Sequence, residues 1–128
     1  MNLLVDTHLL LWSIGQPEKL PDEARRLLVN PDNHLIFSAA SMWEIAIKRS
    51  LERADFQVEP SPLRRGLLEH GWTELMIRSE HAIATGYLPD LHKDPFDRIL
   101  LAQAEVEGYT LLTADNQIAQ YAGPIRKV

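Results

Sequence analysis

The chain has 128 residues, of which 45% are apolar, and a formal net charge of −5 at pH 7. That is enough apolar side chain for one packed core spanning residues 1–128 and too much for a disordered chain, and it carries no overall basic footprint of the kind nucleic-acid binders show. There are no cysteines, which excludes a disulfide scaffold, a thiolate zinc site, an iron–sulfur cluster and a cysteine nucleophile, and fits a reducing compartment.

Asn2–Val5 is an apolar run ending at Asp6 and reads as a strand; Leu9–Ile14 reads as a short helix stopped by Gly15. Pro21–Asn30 opens with proline and acids and reads as a second helix. His34–Phe37 is a strand, and Ala40–Leu51 a longer helix whose Trp43, Ile47 and Leu51 share a face at spacing four. Glu59–Pro62 reads as a linker, Leu63–His70 as a helix ending at Gly71, Trp72–Ile77 as a strand, and Glu80–Tyr87 as a helix stopped by Pro89. Pro95–Glu107 is a helix with Phe96, Ile99, Leu100 and Ala102 expected inward, closed by Gly108. Tyr109–Thr113 is a strand, Gln117–Tyr121 a short helix and Pro124–Val128 a last strand. Strands alternate with helices and are almost wholly apolar, the signature of an α/β three-layer sandwich with a mostly parallel central sheet flanked by helices. The most apolar stretch, LLVDTHLLLW, is interrupted by Asp6 and falls short of the ~18 residues of a spanning helix. It has neither a basic leader nor a cleavage site, so a cytoplasmic protein with no membrane contact is expected.

Four acids stand in notable places. Asp6 follows the first strand, Asp115 follows TLLT, Glu44 lies early in the helix after HLIF, and Asp97 lies in the first turn of the helix opened by Asp94–Pro95. In a parallel sheet the strand C-termini and the N-termini of the following helices share one edge, which places Asp6, Glu44 and Asp115 together. Asp97 follows a crossover whose path the sequence does not define. Each acid also has an ordinary use. Asp6, Asp115 and Asp94 suit helix caps, Ser41 to Glu44 matches a capping box, and Glu44 and Lys48 suit a helix-face ion pair. Clustered carboxylates repel and raise one another's pKa unless a cation neutralises them, and a thiolate-free carboxylate set favours Mg²⁺ or Mn²⁺. Such a pocket suits phosphodiester hydrolysis. With the four acids set aside the net charge rises from −5 to −1, and Arg25–Arg26, Lys48–Arg49 and Arg64–Arg65 form local basic pairs able to meet phosphates. The five histidines show no metal-ligand spacing, and His92 reads as a turn or rim residue. A dehalogenase-type aspartate enzyme would carry a second Asp where His8 stands, and serine-hydrolase, P-loop and dinucleotide patterns are absent.

The segments NLLVDTHLLLW, SAASMWEIAIK, HKDPFDRILLAQA and TLLTAD, in this order and spacing, resemble the PIN (PilT N-terminal) domain, most closely the VapC-type toxins of bacterial toxin–antitoxin pairs. The resemblance implies a metal-dependent endoribonuclease in which Asp6, Glu44, Asp97 and Asp115 are the catalytic, Mg²⁺- or Mn²⁺-holding acids. It makes Thr113 the hydroxyl that orients a carboxylate, Lys48 a phosphate contact, and Asp94 an N-cap that adds charge. It further implies a homodimer and a small antitoxin whose C-terminal segment lies in a groove beside the acids. Leu27, Leu28, Leu67 and Leu68, on helices before Glu44 and after Arg53, are candidates to line that groove, and equally suit ordinary core faces. After Lys48 many members show a Gly-rich turn where this chain reads RSLERADF. The competing expectation is a PIN fold that binds RNA or an antitoxin without cleaving.

Overall fold

The computed structural model describes residues 1–51 and 57–128; the Glu52–Phe56 part of RSLERADF, Arg53 included, lies outside the described residues. Among the described residues five strands form one sheet: β1 (Asn2–Val5), β2 (His34–Ser38), β3 (Thr73–Leu75), β4 (Thr110–Thr113) and β5 (Ile125–Lys127). Their order is β3-β2-β1-β4-β5, and every neighbouring pair is parallel. The helices are α1 (Thr7–Gly15), α2 (Asp22–Val29), α3 (Ala39–Ser50), α4 (Pro60–Glu69), α5 (Ser79–Thr85) and α6 (Pro95–Glu107), with short 3₁₀ turns at Pro17–Lys19 and Ile118–Gln120.

Strand alternation builds two cores. Leu3, Val5, Phe37 and Leu112 point to one face and pack with Leu9 and Leu10 of α1, Ala24 of α2 and Leu63 and Leu67 of α4. Leu4, Ile36 and Leu111 point to the other and pack with Leu100, Leu101 and Ala104 of α6. This is the expected α/β sandwich. The first three strands step outward from β1 in one direction, and β4 returns to its other side, so the chain reverses between β1 and β4. Outside the carboxyl ends of those strands lies the crevice where open α/β sheets place ligands.

Several expectations change. Pro60–Pro62 is not linker but the first turn of α4, where a missing N–H costs nothing because the first four are unbonded in any helix. β3 is three residues long rather than Trp72–Ile77. On α6, Leu100, Leu101, Ala102 and Ala104 are buried, whereas Phe96 and Ile99 are half-buried near its start. Gly108 ends α6 at φ 74°, a left-handed conformation that favours glycine. Trp43, Ile47 and Leu51 do share a face, but it points outward. No helix among the described residues is long and apolar enough to cross a membrane.

Candidate active site

Asp6 stands where β1 becomes α1, at the sheet's reversal point. Its Oδ1 accepts the Leu9 N–H at 2.9 Å, capping α1, and its Oδ2 accepts a hydrogen bond from the Thr113 hydroxyl at the end of β4. The Thr113 oxygen in turn accepts the Asp115 N–H at 3.0 Å. Asp115 Oδ1 accepts the N–H groups of Gln117 and Ile118 at 2.7 and 3.3 Å. Both acids therefore cap, as their ordinary reading requires, yet each carboxylate keeps acceptor capacity beyond these bonds. Burial drives the Asp6 carboxyl above its usual range, outweighing the bonds from Leu9 and Thr113, and the Asp115 charge adds to the rise.

Glu44 lies in the second turn of α3. The capping box expected from Ser41 does not form: Ser38 caps α3 by accepting the Ala40 N–H at 3.0 Å, and Ser41 is already inside the helix. Ser41 instead accepts a 2.9 Å bond from the Thr7 hydroxyl, tying the Asp6 end of α1 to the turn of α3 that carries Glu44. The Glu44 side chain is buried. Its Oε2 lies 3.2 Å from Lys48 Nζ, while its Oε1 has no hydrogen-bond partner among the described residues. A buried, unpartnered carboxylate oxygen is costly, and a bound cation relieves that cost.

Asp94 caps α6, its Oδ1 accepting the Phe96 N–H at 2.9 Å, with Pro95 at the first helical position. Asp97, one turn in, has its Oδ2 2.6 Å from His92 Nε2. Burial pushes the Asp97 carboxyl up to about 6; Asp94 and Glu44 add to the rise, and the His92 bond opposes it. The Glu44 contribution brings the two acids of α3 and α6 into one electrostatic neighbourhood, and α5 with its following loop supplies the path by which α6 reaches it. The His92, Asp94 and Asp97 ligand atoms lie within 4.8 Å of one another, the only such group of three or more among the described residues. The four acids of the sequence reading thus sit as two sets, Asp6 with Asp115 at the sheet crevice and Glu44 with Asp97 across the α3–α6 seam.

Two participants escape the sequence reading. One is the bond of His92 to Asp97. The other is Arg98, whose guanidinium donates to the carbonyls of Thr85, Pro89 and His92 at 2.9, 2.9 and 3.3 Å and to Tyr121 Oη at 3.0 Å, holding the loop that presents His92. Their one signal was position, immediately around Asp94 and Asp97. Of the local basic pairs, Arg25, Arg49 and Arg64 are engaged with Asp22, Glu59 and Glu74, and Lys48 with Glu44.

A family model described as the PIN domain matches residues 3–124. The chain belongs to the PIN domain family. Among curated relatives, this PIN domain is 27% identical over 123 residues to Ribonuclease VapC22 of Mycobacterium tuberculosis (strain ATCC 25618 / H37Rv), covering 96% of this chain and 94% of that one. Among solved structures it superposes on VapBC2 from Rickettsia felis bound to a promoter DNA fragment with a TM-score of 0.75 at 15% identity, covering 100% and 99% of the two chains. DNA-bound VapBC from Salmonella typhimurium gives 0.66 at 16% identity, with 99% and 98% covered. A toxin–antitoxin complex from Klebsiella pneumoniae gives 0.62 at 17% identity, with both chains covered in full. These likenesses establish the fold.

Proposed function

We propose that this PIN domain is an endoribonuclease toxin of a toxin–antitoxin pair that hydrolyses RNA phosphodiester bonds with Mg²⁺ or Mn²⁺, with Asp6, Glu44, Asp97 and Asp115 as its catalytic acids. The observation that carries the reading is the unpartnered, buried Oε1 of Glu44 in the same electrostatic neighbourhood as Asp97, whose carboxyl is held up near 6. Carboxylates crowded in this way suit a hard divalent cation and little else. A relative named as a ribonuclease and neighbours described as VapBC complexes support the same reading.

The donors around Asp97 fit such an ion: His92, Asp94 and Asp97 bring one imidazole and two carboxylates within 4.8 Å of one another, and the chain has no thiol. Asp6, Glu44, Asp97 and Asp115 would hold it. When bound, such a cation polarises the phosphate and lowers the pKa of a water. Thr113 fixes the Asp6 carboxylate by donating to Oδ2. Asp94 adds negative charge while capping α6. Lys48 neutralises Glu44 in the metal-free chain, and with a cation bound its ammonium would be available to an RNA phosphate.

The antitoxin partner has a surface to occupy. A cavity of about 570 Å³ opens between the end of α1, α2 and α4, lined by Ile14, Leu28, Val29, Leu63, Leu67 and Trp72 among others. Leu28 and Leu67 line it, but none of the four acids does, so it differs from a groove beside the acids. Leu27 and Leu68 lie outside the lining, and Leu27, Leu28 and Leu67 all pack in or against the core, as their alternative reading has it. The toxin works in the cytoplasm as a homodimer. Purified protein incubated with total RNA, with Mg²⁺, Mn²⁺ or EDTA, tests the reading by mapping of cleavage ends. Metal-dependent cleavage that Asp97→Asn abolishes is expected. RNA binding with no cleavage under any metal would leave a non-catalytic module.

A further inference from the structure

Trp43 is 60% exposed, although tryptophan on average is highly buried. It precedes Glu44 on α3, and Phe96 precedes Asp97 on α6. The two rings meet edge to face, with centroids 5.1 Å apart and planes at 76°. Each helix therefore carries an aromatic and an acid side by side in sequence: the acids lie on the site, and the aromatics close one wall of a separate hollow next to it. That hollow has a volume of about 450 Å³, and its lining includes Trp43, Phe96, Ile77, Ile99 and Lys93. Lys93 is exposed, and no hydrogen bond or ion pair engages it among the described residues. Its neighbour Arg98 is already spent on loop carbonyls.

We propose that this hollow is a base-binding subsite: Trp43 and Phe96 hold one nucleobase of the RNA, and Lys93 meets the adjoining phosphate. It thereby holds the nucleotide beside the cleaved bond in place, whichever base it carries. The inference rests on the ribonuclease reading and adds to it a subsite that positions the RNA strand. A flat, aromatic, anionic ligand satisfies both halves of the hollow, because every base has a face to stack and a phosphate on its backbone. An aliphatic face of a second protein copy would cover the rings but leave the Lys93 ammonium desolvated and unpaired. The exposed aliphatic residues that continue the Trp43 stripe, Ile47 and Leu51, do not line the hollow.

The test is titration of the full-length protein with single-stranded RNA oligomers in EDTA, where metal-dependent cleavage is off, alongside cleavage assays in Mg²⁺. Trp43→Ala should weaken RNA affinity by about 5- to 150-fold, the range base–aromatic stacking commands, and Trp43→Phe should retain most of it. An oligomer carrying an abasic nucleotide in the preferred position should bind wild type weakly and lose its sensitivity to Trp43→Ala. Wild-type RNA affinity in Trp43→Ala overturns the subsite. So does a Trp43→Ala protein whose sedimentation shows a lost dimer with intrinsic RNA affinity unchanged, which would assign the hollow to a second copy. Absence of cleavage by wild type overturns the ribonuclease reading separately, whatever Trp43 does to binding.

Discussion

His92 Nε2 lies 2.6 Å from Asp97 Oδ2, and the backbone of His92 is itself held on both sides. Its N–H donates to Tyr121 Oη at 2.9 Å, and its carbonyl accepts from Arg98 at 3.3 Å. The imidazole is therefore presented to Asp97 by a braced loop. One carboxylate oxygen is oriented this way while the carboxyl as a whole remains poorly solvated, so its affinity for a proton is raised even though a hydrogen-bond donor faces it.

That balance predicts a pH dependence of stability in the metal-free protein. The Asp97 carboxyl sits at about 6 in the folded chain against an ordinary 3.8. Between those values the folded state holds a proton that the unfolded state has released, so folding is favoured most at the acid end. Stability falls as pH rises through this window, and the cost is complete above pH 6. Asp97→Asn removes the term. Thermal melts in EDTA should show Asp97→Asn more stable than wild type at pH 7.5, by up to about 3 kcal/mol, with the gap closing toward pH 4. A gap that does not change with pH would show that Asp97 does not titrate in this range.

A cation that binds only the folded chain must stabilise it. Mg²⁺ or Mn²⁺ should raise the melting temperature of wild type, and Glu44→Gln or Asp97→Asn should remove most of the rise. RNA cleavage by Asp6→Asn, Glu44→Gln, Asp97→Asn and Asp115→Asn should each fall by more than the ~10–100-fold that loss of an outer-shell partner costs. Asp6→Asn keeps an oxygen able to cap Leu9, so its fold should survive. Wild-type cleavage in well-folded Asp6→Asn or Asp97→Asn would sink the assignment.

Lys48 sits 3.2 Å from Glu44 at the usual i, i+4 helix spacing. Glu44 is buried and its other oxygen is unpartnered, so Lys48→Ala should destabilise the metal-free protein by more than loss of an exposed helix-face pair would, and Mg²⁺ should recover part of that loss. If Lys48 turns to RNA once Glu44 is engaged, Lys48→Ala should weaken RNA binding and flatten its salt dependence by about one phosphate contact. Lys48→Arg should recover part of the loss. Affinity measured against salt concentration on a cleavage-dead background decides this, and an unchanged slope would return Lys48 to the helix surface.

Ile14 and Val29 are exposed and line the cavity between α1, α2 and α4. Placing a charge there should cost little stability, within about 0.5 kcal/mol, because neither side chain is in the core. Ile14→Glu and Val29→Glu should abolish co-purification with the antitoxin encoded beside the toxin, while RNA cleavage by the isolated protein is kept. Undiminished co-purification would move the antitoxin to another face.

Much of this site follows from local chemistry. Val5 and Thr113 end strands whose apolar stretches, Leu3–Val5 and Leu111–Leu112, betray burial on both faces, so the acids after them had to lie at one sheet edge. The bounds of α6 were readable because Asp94–Pro95 and Gly108 use side chains and dihedrals that suit only a helix start and a helix end. Other features were ambiguous for equally local reasons. Ser38 and Ser41 both suit a cap, and the choice fell to Ser38 because β2 runs on to pair Ser38 with Leu75 of β3. A spacing of four shows that Trp43, Ile47 and Leu51 share a face but not where that face points. Outward exposure of Trp43 beside inward burial of Glu44 was settled by the packing of α3 against the sheet and α6.

By itself, then, the amino-acid sequence determined the elements, the parallel α/β class and which acids stand at strand and helix ends, since periodicity, caps and turns act over a few residues. The tertiary structure alone decided that β4 returns beside β1, bringing Thr113 within hydrogen-bonding reach of Asp6 across 107 positions of chain. It also decided that α6 lies against α3, where Asp97 meets the field of Glu44 and Phe96 meets Trp43. Strand order and helix docking are chosen by the burial of whole faces against one another, a sum over both cores that no short stretch of chain encodes.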